Sequence, residues 1–573
     1  MTPVQGRFRP WSLFVLFLLG CFSAGAVGTW RPVTRSAPGP VSLMLLLSDG
    51  TVMAADSDTS SAWYRLTPDI HGNYANGTWT RLASMHDTRL YYSSCMLRDG
   101  RVFVAGGEYG TGGAKSEIYN PLSNLWTQIT VPKSLLDPSK DSPEVGEKQG
   151  FYDSPCKILP NGNVLVAPVG AIVTGGSLVY NVLSGSWTSG PKFFRVGYPD
   201  QAEASWVKLP DDSILTIDPG SLHSERYIPS LNRWVNDANV PVSIYDEIGT
   251  EIGAAVLLPD GRAMFFGGTG QTVFYTPSGT TAAGHWAVGP DIPDGLVAAD
   301  APAALLPNGK VLCAFSPSLY KDENGDVQYP GPTTFYEFDP VTNEFTVTRA
   351  PTGLVADYAS YEACMLALPN GTILYSSFDA VVRIYQPDGA PLAAGKPAIT
   401  GLAQNTDGSY HLTGTLLNGI SEGAAYGDDA QMDSNYPLVR LSNAAGNVYY
   451  ARTFNWSSTG VRTGDNPATT EFTLPKSLPP VGTYSLVVVA NGISSEPITL
   501  SLPLALQITA TAERGQTVLS WPALPDNAGL ETLADLALDT WVPVTNGVSL
   551  VGNSLVLTNA FSSDRAFFRL KLH

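Results

Sequence analysis

The segment CMLRDGRVFVAGG, residues 95–107, consists of an apolar run, an Asp-Gly turn and a second apolar run. Six other segments have the same pattern: LLLSDGTVMAA (45–55), KILPNGNVLVAP (157–168), VKLPDDSILTI (207–217), VLLPDGRAMFFGG (256–268), ALLPNGKVLCAF (304–315) and LALPNGTILYSS (366–377). Asp-Gly and Asn-Gly tolerate the positive φ that tight hairpin turns require, so each segment predicts a β-hairpin. Seven hairpins spaced roughly 50 to 60 residues apart predict the seven blades of a β-propeller.

Aromatic pairs downstream of the hairpins predict the two outer strands of each blade. The pairs are Tyr64/Trp79, Tyr119/Trp126, Tyr180/Trp187, Tyr227/Trp234, Tyr275/Trp286 and Phe338/Phe345. The seventh blade has Tyr385 but no partner, while Trp30 stands alone before the first repeat. We therefore expect Trp30 to supply the outer strand of the last blade, because this closure removes exposed sheet edges.

The charge and composition of the chain narrow the classes of partner. There are 33 lysine and arginine residues against 51 aspartate and glutamate residues, a net charge of −18. This charge argues against nucleic acid and anionic membranes as partners. The 44% hydrophobic content predicts packed domains rather than disorder.

The N-terminus has the pattern of an export signal. Arg7 and Arg9 precede a short apolar run that ends in small residues, which predicts a signal peptide over residues 1–26 with cleavage after Ala26. The alternative is a lipoprotein signal in which Cys21 carries the lipid. No other segment is long and apolar enough to span a bilayer, so we expect a secreted or periplasmic protein.

Four cysteines lie in the predicted strands, namely Cys95, Cys156, Cys313 and Cys364. All four are flanked by apolar residues, where a free cysteine behaves as a small hydrophobic side chain. We interpret them as buried thiols. Export permits disulfides, and a bridge between Cys95 and Cys156 in adjacent blades is the alternative.

The hairpins, the aromatic pairs and the Gly-Gly pairs at 106–107 and 267–268 together resemble Kelch repeats. In the second blade, TRLYYSSCMLRDGRVFVAGG (88–107) and EIYNPLSNLWTQI (117–129) resemble galactose oxidase and its glyoxal oxidase relatives. The resemblance implies an all-β protein, with a seven-bladed Kelch-type propeller over residues 27–390 and an immunoglobulin-like early-set domain over residues 391–502. Residues 503–573 are expected to form a small C-terminal β-sandwich module.

The resemblance to Kelch propellers implies that the first residues of each inner strand reach the face where ligands bind. Counting back eight residues from each turn Asp or Asn gives Val41, Tyr91, Asp153, Glu203, Ile252, Asp300 and Glu362. Four of these are carboxylates, and Glu251 precedes Ile252. Carboxylates that converge on one axis need a cation, basic side chains or raised pKa values, so a cation site and a water-filled channel are the two interpretations.

The resemblance to galactose oxidase implies a copper-radical site at the same place. Tyr91 matches the cross-linked tyrosine, Tyr361 the axial tyrosine, and Tyr109 the position of a stacked tryptophan. The positions of the cysteine and the two histidines hold other residues, which are Val41, Glu362 and Gln431. Without imidazole nitrogens Cu(II) loses its preferred donors, so these residues argue against copper.

We therefore predict ligand-binding residues at Tyr91, Tyr109, Tyr361, Glu362 and Gln431. Their oxygen-rich surroundings suit Ca²⁺ or another hard divalent cation. The candidate metal ligands are Asp153, Glu203, Glu251, Asp300, Glu362, Asp428 and Asp429. The predicted function is non-catalytic binding of an extracellular glycan or protein by a secreted monomer. The alternative is an extracellular oxidoreductase or carbohydrate-active enzyme with a rebuilt carboxylate and tyrosine site, and a copper-radical oxidase ranks last.

Overall fold

The computed structural model describes residues 28–135, 151–167, 176–195, 201–353, 358–425, 431–502, 508–513, 516–523, 528–537, 540–551, 554–559 and 566–572. The predicted signal peptide and Cys21 lie outside these ranges. Within them the chain is all-β, as predicted, and the helical elements are single 3-10 turns. These turns are Tyr74–Asn76, Lys133–Leu135, Pro293–Gly295, Ser360–Glu362 and Ala393–Gly395. None of the described helices is long and apolar enough to cross a membrane.

Seven antiparallel four-stranded sheets contain the seven predicted hairpins. The first sheet has the strands Val41–Leu46, Val52–Asp56, Trp63–Thr67 and Thr78–Arg81. The second has Ser93–Met96, Val102–Ala105, Lys115–Asn120 and Leu125–Thr130. The third has Cys156–Ile158, Val164–Val166, Gly176–Asn181 and Ser186–Lys192. The fourth has Val207–Lys208, Ile214–Ile217, Ser224–Ile228 and Arg233–Asn236.

The remaining three sheets follow the same order from the inner to the outer strand. The fifth has Ile252–Leu257, Ala263–Gly267, Thr272–Thr276 and His285–Val288. The sixth has Ala303–Leu305, Val311–Phe315, Thr334–Asp339 and Glu344–Val347. The seventh has Cys364–Ala367, Ile373–Ser376, Arg383–Gln386 and Thr29–Pro32. Two short ribbons accompany them, Arg89–Leu90 with Tyr109–Gly110 and Tyr320–Lys321 with Val327–Gln328.

The hairpin turns have the backbone conformation that the sequence predicts. At the residue after each turn Asp or Asn, φ is positive in all seven hairpins: Gly50, Gly100, Gly162, Asp212, Gly261, Gly309 and Gly371. Asp212 is the one exception to glycine in this set, and aspartate is among the residues that tolerate the left-handed region best. The repeated turn therefore sets the register of the two inner strands in every sheet.

The N-terminal strand closes the seventh sheet, as predicted. Trp30 lies directly opposite Tyr385 in the ladder. Its ring also packs edge-on against Phe335 and Tyr375, with centroid distances of 5.1 and 5.5 Å. The last sheet is thus completed by the start of the described chain, which ties the two ends of the repeat array together.

The six aromatic pairs lie on the two outer strands of their sheets, as predicted. Five are direct cross-strand partners: Tyr119/Trp126, Tyr180/Trp187, Tyr227/Trp234, Tyr275/Trp286 and Phe338/Phe345. In the first sheet, however, Tyr64 faces Arg81 and Trp79 faces Leu66. Tyr64 and Trp79 therefore lie two rungs apart on the two outer strands of this sheet.

The inner strands pack against one another around a common axis. Those of the first, seventh, sixth, fifth and fourth sheets contact one another in that order, and so do those of the second and third. Their side chains are buried and form the apolar core between the sheets. Packed sheets of this kind around an axis form a β-propeller-like fold.

A second β region follows the seven sheets. Its eight strands form one antiparallel sheet around its own apolar core, and they are Ala398–Gln404, Tyr410–Thr415, Leu438–Ser442, Val448–Phe454, Pro467–Thr473, Gly482–Ala490, Ile493–Ser494 and Ile498–Leu502. This region covers the turn end of the hairpins. A Cβ atom added at Gly50 would lie 2.4 Å from the ring of Tyr450, and one at Gly371 would lie 3.4 Å from the carbonyl of Gly492.

A hairpin from the second region reaches the axis of the sheets. Its strands, Gly423–Ala425 and Gln431–Asp433, contact the inner strands of the first, second, fifth, sixth and seventh sheets. We call it the axial hairpin. The axial hairpin comes from the region that covers the turn end of the inner hairpins, whereas the residues eight positions before each turn lie at the opposite end of the inner strands.

The C-terminal region contains two further small sheets. One consists of Thr509–Glu513, Gln516–Pro522, Ser554–Asn559 and Val548–Val551. The other consists of Val542–Pro543, Ala528–Leu533 and Phe567–Leu572. Leu519, Trp521, Leu530 and Leu557 form a buried cluster shared by the two sheets. This cluster is distinct from the apolar clusters of the preceding sheets, and the separate module stays a prediction.

Candidate functional site

Four of the seven positions that the repeat located at the far end of the inner strands have an unusual backbone conformation. Tyr91, Asp153, Glu203 and Asp300 all have φ between 42° and 62°. Non-glycine residues seldom adopt this left-handed region, and residues held there cluster at functional sites. We call this end of the axis the acidic mouth and define it by its carboxylates: Asp153, Glu203, Glu251, Asp300 and Glu362.

Three carboxylates of the acidic mouth converge. One carboxylate oxygen from each of Glu203, Glu251 and Asp300 lies within 4.8 Å of the others. Glu251 is buried, whereas Glu203 and Asp300 are half-buried. Among the described residues this carboxylate trio is the only cluster of acidic, histidine or cysteine side chains with the spacing of a metal site. Asp153 and Glu362, predicted with these three, are not members of it.

The backbone around Glu251 is held by a neighbouring carboxylate. The side chain of Asp246 accepts hydrogen bonds from the amides of Ile248, Gly249 and Glu251, at 2.7, 2.8 and 2.6 Å. On the other side, a Cβ atom at Gly268 would lie 2.4 Å from the Glu251 carbonyl oxygen. The Gly-Gly pair that marked this repeat therefore permits the close approach that places Glu251 at the mouth.

Tyr329 joins the carboxylate trio to the neighbouring tyrosine. Its hydroxyl donates a hydrogen bond to Glu251, and its ring packs on Tyr361 with centroids 4.8 Å apart. Burial and then the carboxylates of Asp300 and Glu251 raise the pKa of Tyr329 far above its usual value, so the phenol stays protonated. No repeat signal marks this residue, because it follows an insertion between the second and third strands of the sixth sheet.

The predicted pair Tyr361 and Glu362 lies next to this group. Both residues belong to the 3-10 turn Ser360–Glu362, and their side chains hydrogen bond to each other. Burial raises the pKa of Glu362. Its hydrogen bonds with the Ala359 backbone and the Tyr361 hydroxyl lower this pKa, but they only partly offset the effect of burial. Burial, followed by the carboxylates of Glu362 and Asp300, also raises the pKa of Tyr361. This part of the mouth therefore holds protons more tightly than water-exposed groups would.

Aromatic rings form another wall of the mouth. Tyr91 stands edge-on to Tyr109 with centroids 6.1 Å apart and stacks on Phe378 at 6.4 Å. Tyr109 is 48% exposed, which leaves an aromatic surface open to a ligand. Burial, followed by the Glu108 and Asp153 carboxylates, raises the pKa of Tyr109 to about 12. The structure thus brings the predicted tyrosines Tyr91 and Tyr109 together.

The axial hairpin carries an ion cluster at the axis. Lys157 of the third sheet and Lys208 of the fourth approach the Glu422 carboxylate at 2.5 and 3.6 Å, and all three are buried. Glu422 precedes the hairpin, and Asp433 ends it. Burial, followed by the Glu422 carboxylate, raises the pKa of Asp433 to about 7, although Lys157 and Lys208 lower it in part. We call these four residues the axial ion cluster, and nothing in the sequence analysis predicted it.

An asparagine clamps the base of the axial hairpin. The Asn491 carbonyl oxygen accepts hydrogen bonds from the amides of Ile420 and Ser421 at 2.8 and 3.2 Å. Its amide nitrogen donates to the Ser434 hydroxyl at 3.2 Å. Gln431 begins the second hairpin strand, but its side chain, like Asp428 and Asp429, lies outside what the structure describes.

The described residues do not fit the copper-radical group that the resemblance implies. Val41, which stands at the position of the cross-linking cysteine, is a fully buried aliphatic residue in the first inner strand. Glu362 offers a carboxylate with a raised pKa where the group needs an imidazole nitrogen. In contrast, the oxygen atoms of the carboxylate trio suit a hard divalent cation.

Comparison with known proteins supports the resemblance over part of the chain. No protein-family model matches. Galactose oxidase from Gibberella zeae is 27% identical over 172 residues, which cover 27% of this chain and 23% of that protein. The match thus spans less than a quarter of the length of its relative, and the Kelch assignment remains a prediction.

Two solved structures illustrate the structural likeness. A fungal alcohol oxidase in complex with copper aligns with a TM-score of 0.48 and 16% identity, covering 84% of this chain and 100% of that one. A streptogramin B lyase aligns with a TM-score of 0.42 and 10% identity, covering 63% and 98%.

Proposed function

We propose that this chain is a secreted, non-catalytic binding protein that holds a hard divalent cation such as Ca²⁺ at the carboxylate trio of its axial mouth. The fold is proposed to be a seven-bladed Kelch-type propeller followed by an immunoglobulin-like early-set domain. The proposed ligand is an extracellular glycan that docks at the mouth.

The observation that carries the proposal is the separation of the trio, whose oxygen atoms all lie within 4.8 Å of one another. Ionised carboxylates at such a distance repel by about 3 kcal/mol per pair at an effective dielectric constant of about 20. A divalent cation offsets this repulsion and uses each carboxylate as a ligand. For three carboxylate ligands we expect an affinity of roughly 10⁻⁴ to 10⁻³ M, the range of extracellular calcium modules.

The aromatic wall supports a sugar as the ligand. Tyr109 is half-exposed next to Tyr91, and sugar rings stack on such aromatic faces through their apolar C–H surfaces. A cation at the trio would add oxygen ligands from sugar hydroxyl or carboxylate groups. The two features lie at the same end of the axis and together form one binding surface.

Calorimetric titration of the full-length, metal-depleted protein with CaCl₂ tests the cation site. The expected result is one site per chain, with affinity reduced at least tenfold in Glu251→Gln and Asp300→Asn. Asp153→Asn is the matched control, because it removes a mouth carboxylate outside the trio and should change the affinity less than threefold. Wild-type protein that shows no calcium binding, or trio variants that bind like the control, would overturn the proposal.

A glycan array probed with and without calcium tests the ligand class. We expect binding that chelation abolishes and that Tyr109→Ala weakens. Binding to immobilised proteins but to no glycan would instead assign the mouth to a protein partner.

An oxidase on the same scaffold is the second candidate, and the sequence match to galactose oxidase favours it. It predicts stoichiometric copper and a radical absorption band after loading with Cu(II) and oxidation. Our proposal predicts neither feature. A copper-loaded protein with such a spectrum that oxidises a primary alcohol would establish the oxidase.

A further inference from the structure

Two buried cysteines face each other between the second and third sheets. Cys95 lies on the inner strand Ser93–Met96, and Cys156 begins the inner strand Cys156–Ile158. Their exposed fractions are 1% and 0%, and both belong to the apolar cluster between these sheets. Among the described residues no other cysteine belongs to this cluster.

The contacts around the two thiols bring the strands close together. The Cys95 and Cys156 thiols lie within hydrogen-bonding distance of each other, and the Cys156 sulfur lies 3.4 Å from the Ser94 carbonyl oxygen. The Ser93 hydroxyl reaches across to the Ser154 carbonyl and donates a second hydrogen bond between the strands, 2.5 Å long. Neighbouring backbones linked in this way give the two sulfur atoms little freedom to separate.

We propose that Cys95 and Cys156 are a site of covalent modification and form a disulfide that joins the second and third sheets at their inner strands. Each thiol loses its proton, and one S–S bond forms between the two sulfur atoms. The two electrons reduce a disulfide oxidant, R–S–S–R, to two thiols, R–SH, which take up the two protons. The thiols are free in the described state, and the oxidant belongs to the compartment that the predicted export would reach.

The cross-link lies directly behind the acidic mouth. Tyr91 precedes Cys95 by four residues and Asp153 precedes Cys156 by three, and both mouth residues have positive φ. A backbone bridge between Tyr92 and Tyr152 connects the same two segments. The disulfide would therefore hold the aromatic wall at a constant distance from the Asp153 side of the mouth.

The burial of the pair determines when the bond forms. Burial raises the pKa of Cys95 well above its usual value, so the native protein contains little reactive thiolate. Oxidation of the folded protein should therefore be slow, whereas oxidation during folding meets exposed thiols. Once formed, the buried bond is equally shielded from reductants.

Refolding of the full-length protein tests this proposal. Urea-unfolded, reduced protein is refolded in a glutathione thiol and disulfide mixture, alkylated, digested without reduction and analysed by mass spectrometry. The expected product is a peptide pair that joins Cys95 to Cys156, with Cys313 and Cys364 alkylated. Native reduced protein in the same mixture should form this disulfide at a rate at least about tenfold lower.

Two variants complete the test. Oxidising refolding should raise the melting temperature of the wild type by several degrees, and Cys95→Ala should abolish this rise. Cys313→Ala is the control, because it removes another buried thiol and should keep the rise in melting temperature. Alkylation of both Cys95 and Cys156 after oxidising refolding, or a bridge to a different cysteine, would overturn the proposal. Neither readout depends on calcium or glycan binding, so failure of the proposed function would leave this test unaffected.

Discussion

The acidic mouth and the axial ion cluster lie on the same axis, but the mouth brings acidic groups together whereas the axial ion cluster pairs lysines with a carboxylate. At the mouth, Glu203 and Asp300 are half-buried, bring their carboxyl groups close to that of Glu251 and have left-handed backbone conformations. In the axial ion cluster, charges of opposite sign meet, and the two lysines contact the single carboxylate of Glu422. Like charges collected near solvent are typical of a binding site, whereas buried pairs of opposite charge hold elements together.

This difference assigns separate roles to two groups of carboxylates that look alike in the sequence. Burial alone would lower the pKa of Lys157, but Glu422 raises it above its usual value. Burial would likewise raise the pKa of Glu422, yet Lys157 and Lys208 lower it. Lys157 and Glu422 therefore hold each other in their charged forms, and we infer that this pair anchors the axial hairpin.

The largest expected effect is the loss of stability when this pairing is broken. Lys157→Met leaves Glu422 with only the more distant Lys208, so the free energy of unfolding should fall by about 3 to 5 kcal/mol. Urea denaturation measures this change. The control is Lys396→Met, which breaks an exposed pair with Glu496 and should cost less than about 1 kcal/mol. Equal effects in the two variants would show that the axial pair is not an anchor.

The second prediction concerns the pH dependence of stability. Burial raises the pKa of Asp433 to about 7 from an ordinary value of 3.8, so the folded state binds a proton that the unfolded state has lost between these pH values. Stability should therefore decrease as pH rises from about 4 to 7, by up to about 1.4 kcal/mol per pH unit from this group.

Asp433→Asn isolates this contribution, since it keeps the shape of the side chain but cannot ionise. Urea denaturation at several pH values should show a flatter profile and higher stability at pH 8 than in the wild type. An unchanged slope would mean that Asp433 does not titrate in this range.

At the mouth, removal of a charge should increase the free energy of unfolding, whereas Lys157→Met should decrease it. Glu203→Gln reduces repulsion within the trio, so metal-free protein should gain about 1 kcal/mol in the free energy of unfolding. With calcium at 100 times its dissociation constant, wild-type protein should become more stable than Glu203→Gln, because calcium binding stabilises it by about 2.7 kcal/mol. Thermal unfolding with chelator and with calcium measures both values, and a variant that is less stable in both conditions would contradict the assignment.

The smallest effect is expected at Tyr329. Tyr329→Phe removes the hydrogen bond to Glu251 but keeps the packing on Tyr361, so calcium affinity should fall about three- to tenfold, corresponding to about 0.5 to 1.5 kcal/mol. Tyr320→Phe, on the same insertion but exposed, is the control and should bind calcium like the wild type. Equal affinities in the two variants would show that the hydroxyl does not position Glu251.

Much of the fold could be predicted from local pattern. The seven turns required positive φ, and the structure has it at each of them, including the non-glycine Asp212. The isolated Trp30 implied a missing outer strand, which the structure places opposite Tyr385. Of the five predicted mouth carboxylates, the structure brings three into a trio. The predictions of the turns and of the closing strand succeeded because a repeat gives equivalent residues equivalent positions.

The features that were missed lie where the repeat offers no guide. Tyr329 comes from an insertion in the sixth sheet, and its contact with Glu251 spans 78 residues. Lys157 meets Glu422 across 265 residues of sequence. Both lysine positions lie in strands that read as apolar, so the sequence contains no signal that they are charged and paired in the interior.

By itself the sequence determined the strands, their turns, the closure by Trp30 and the ring of acidic positions, because each follows from local backbone preference and from repetition. Only the tertiary structure decided which acids converge, since side-chain separation depends on how neighbouring sheets pack and on Asp246 holding the loop of Glu251. It also decided that the axial hairpin is anchored by buried ion pairs. Electrostatic energy depends on distance and burial, and neither can be read from residue order.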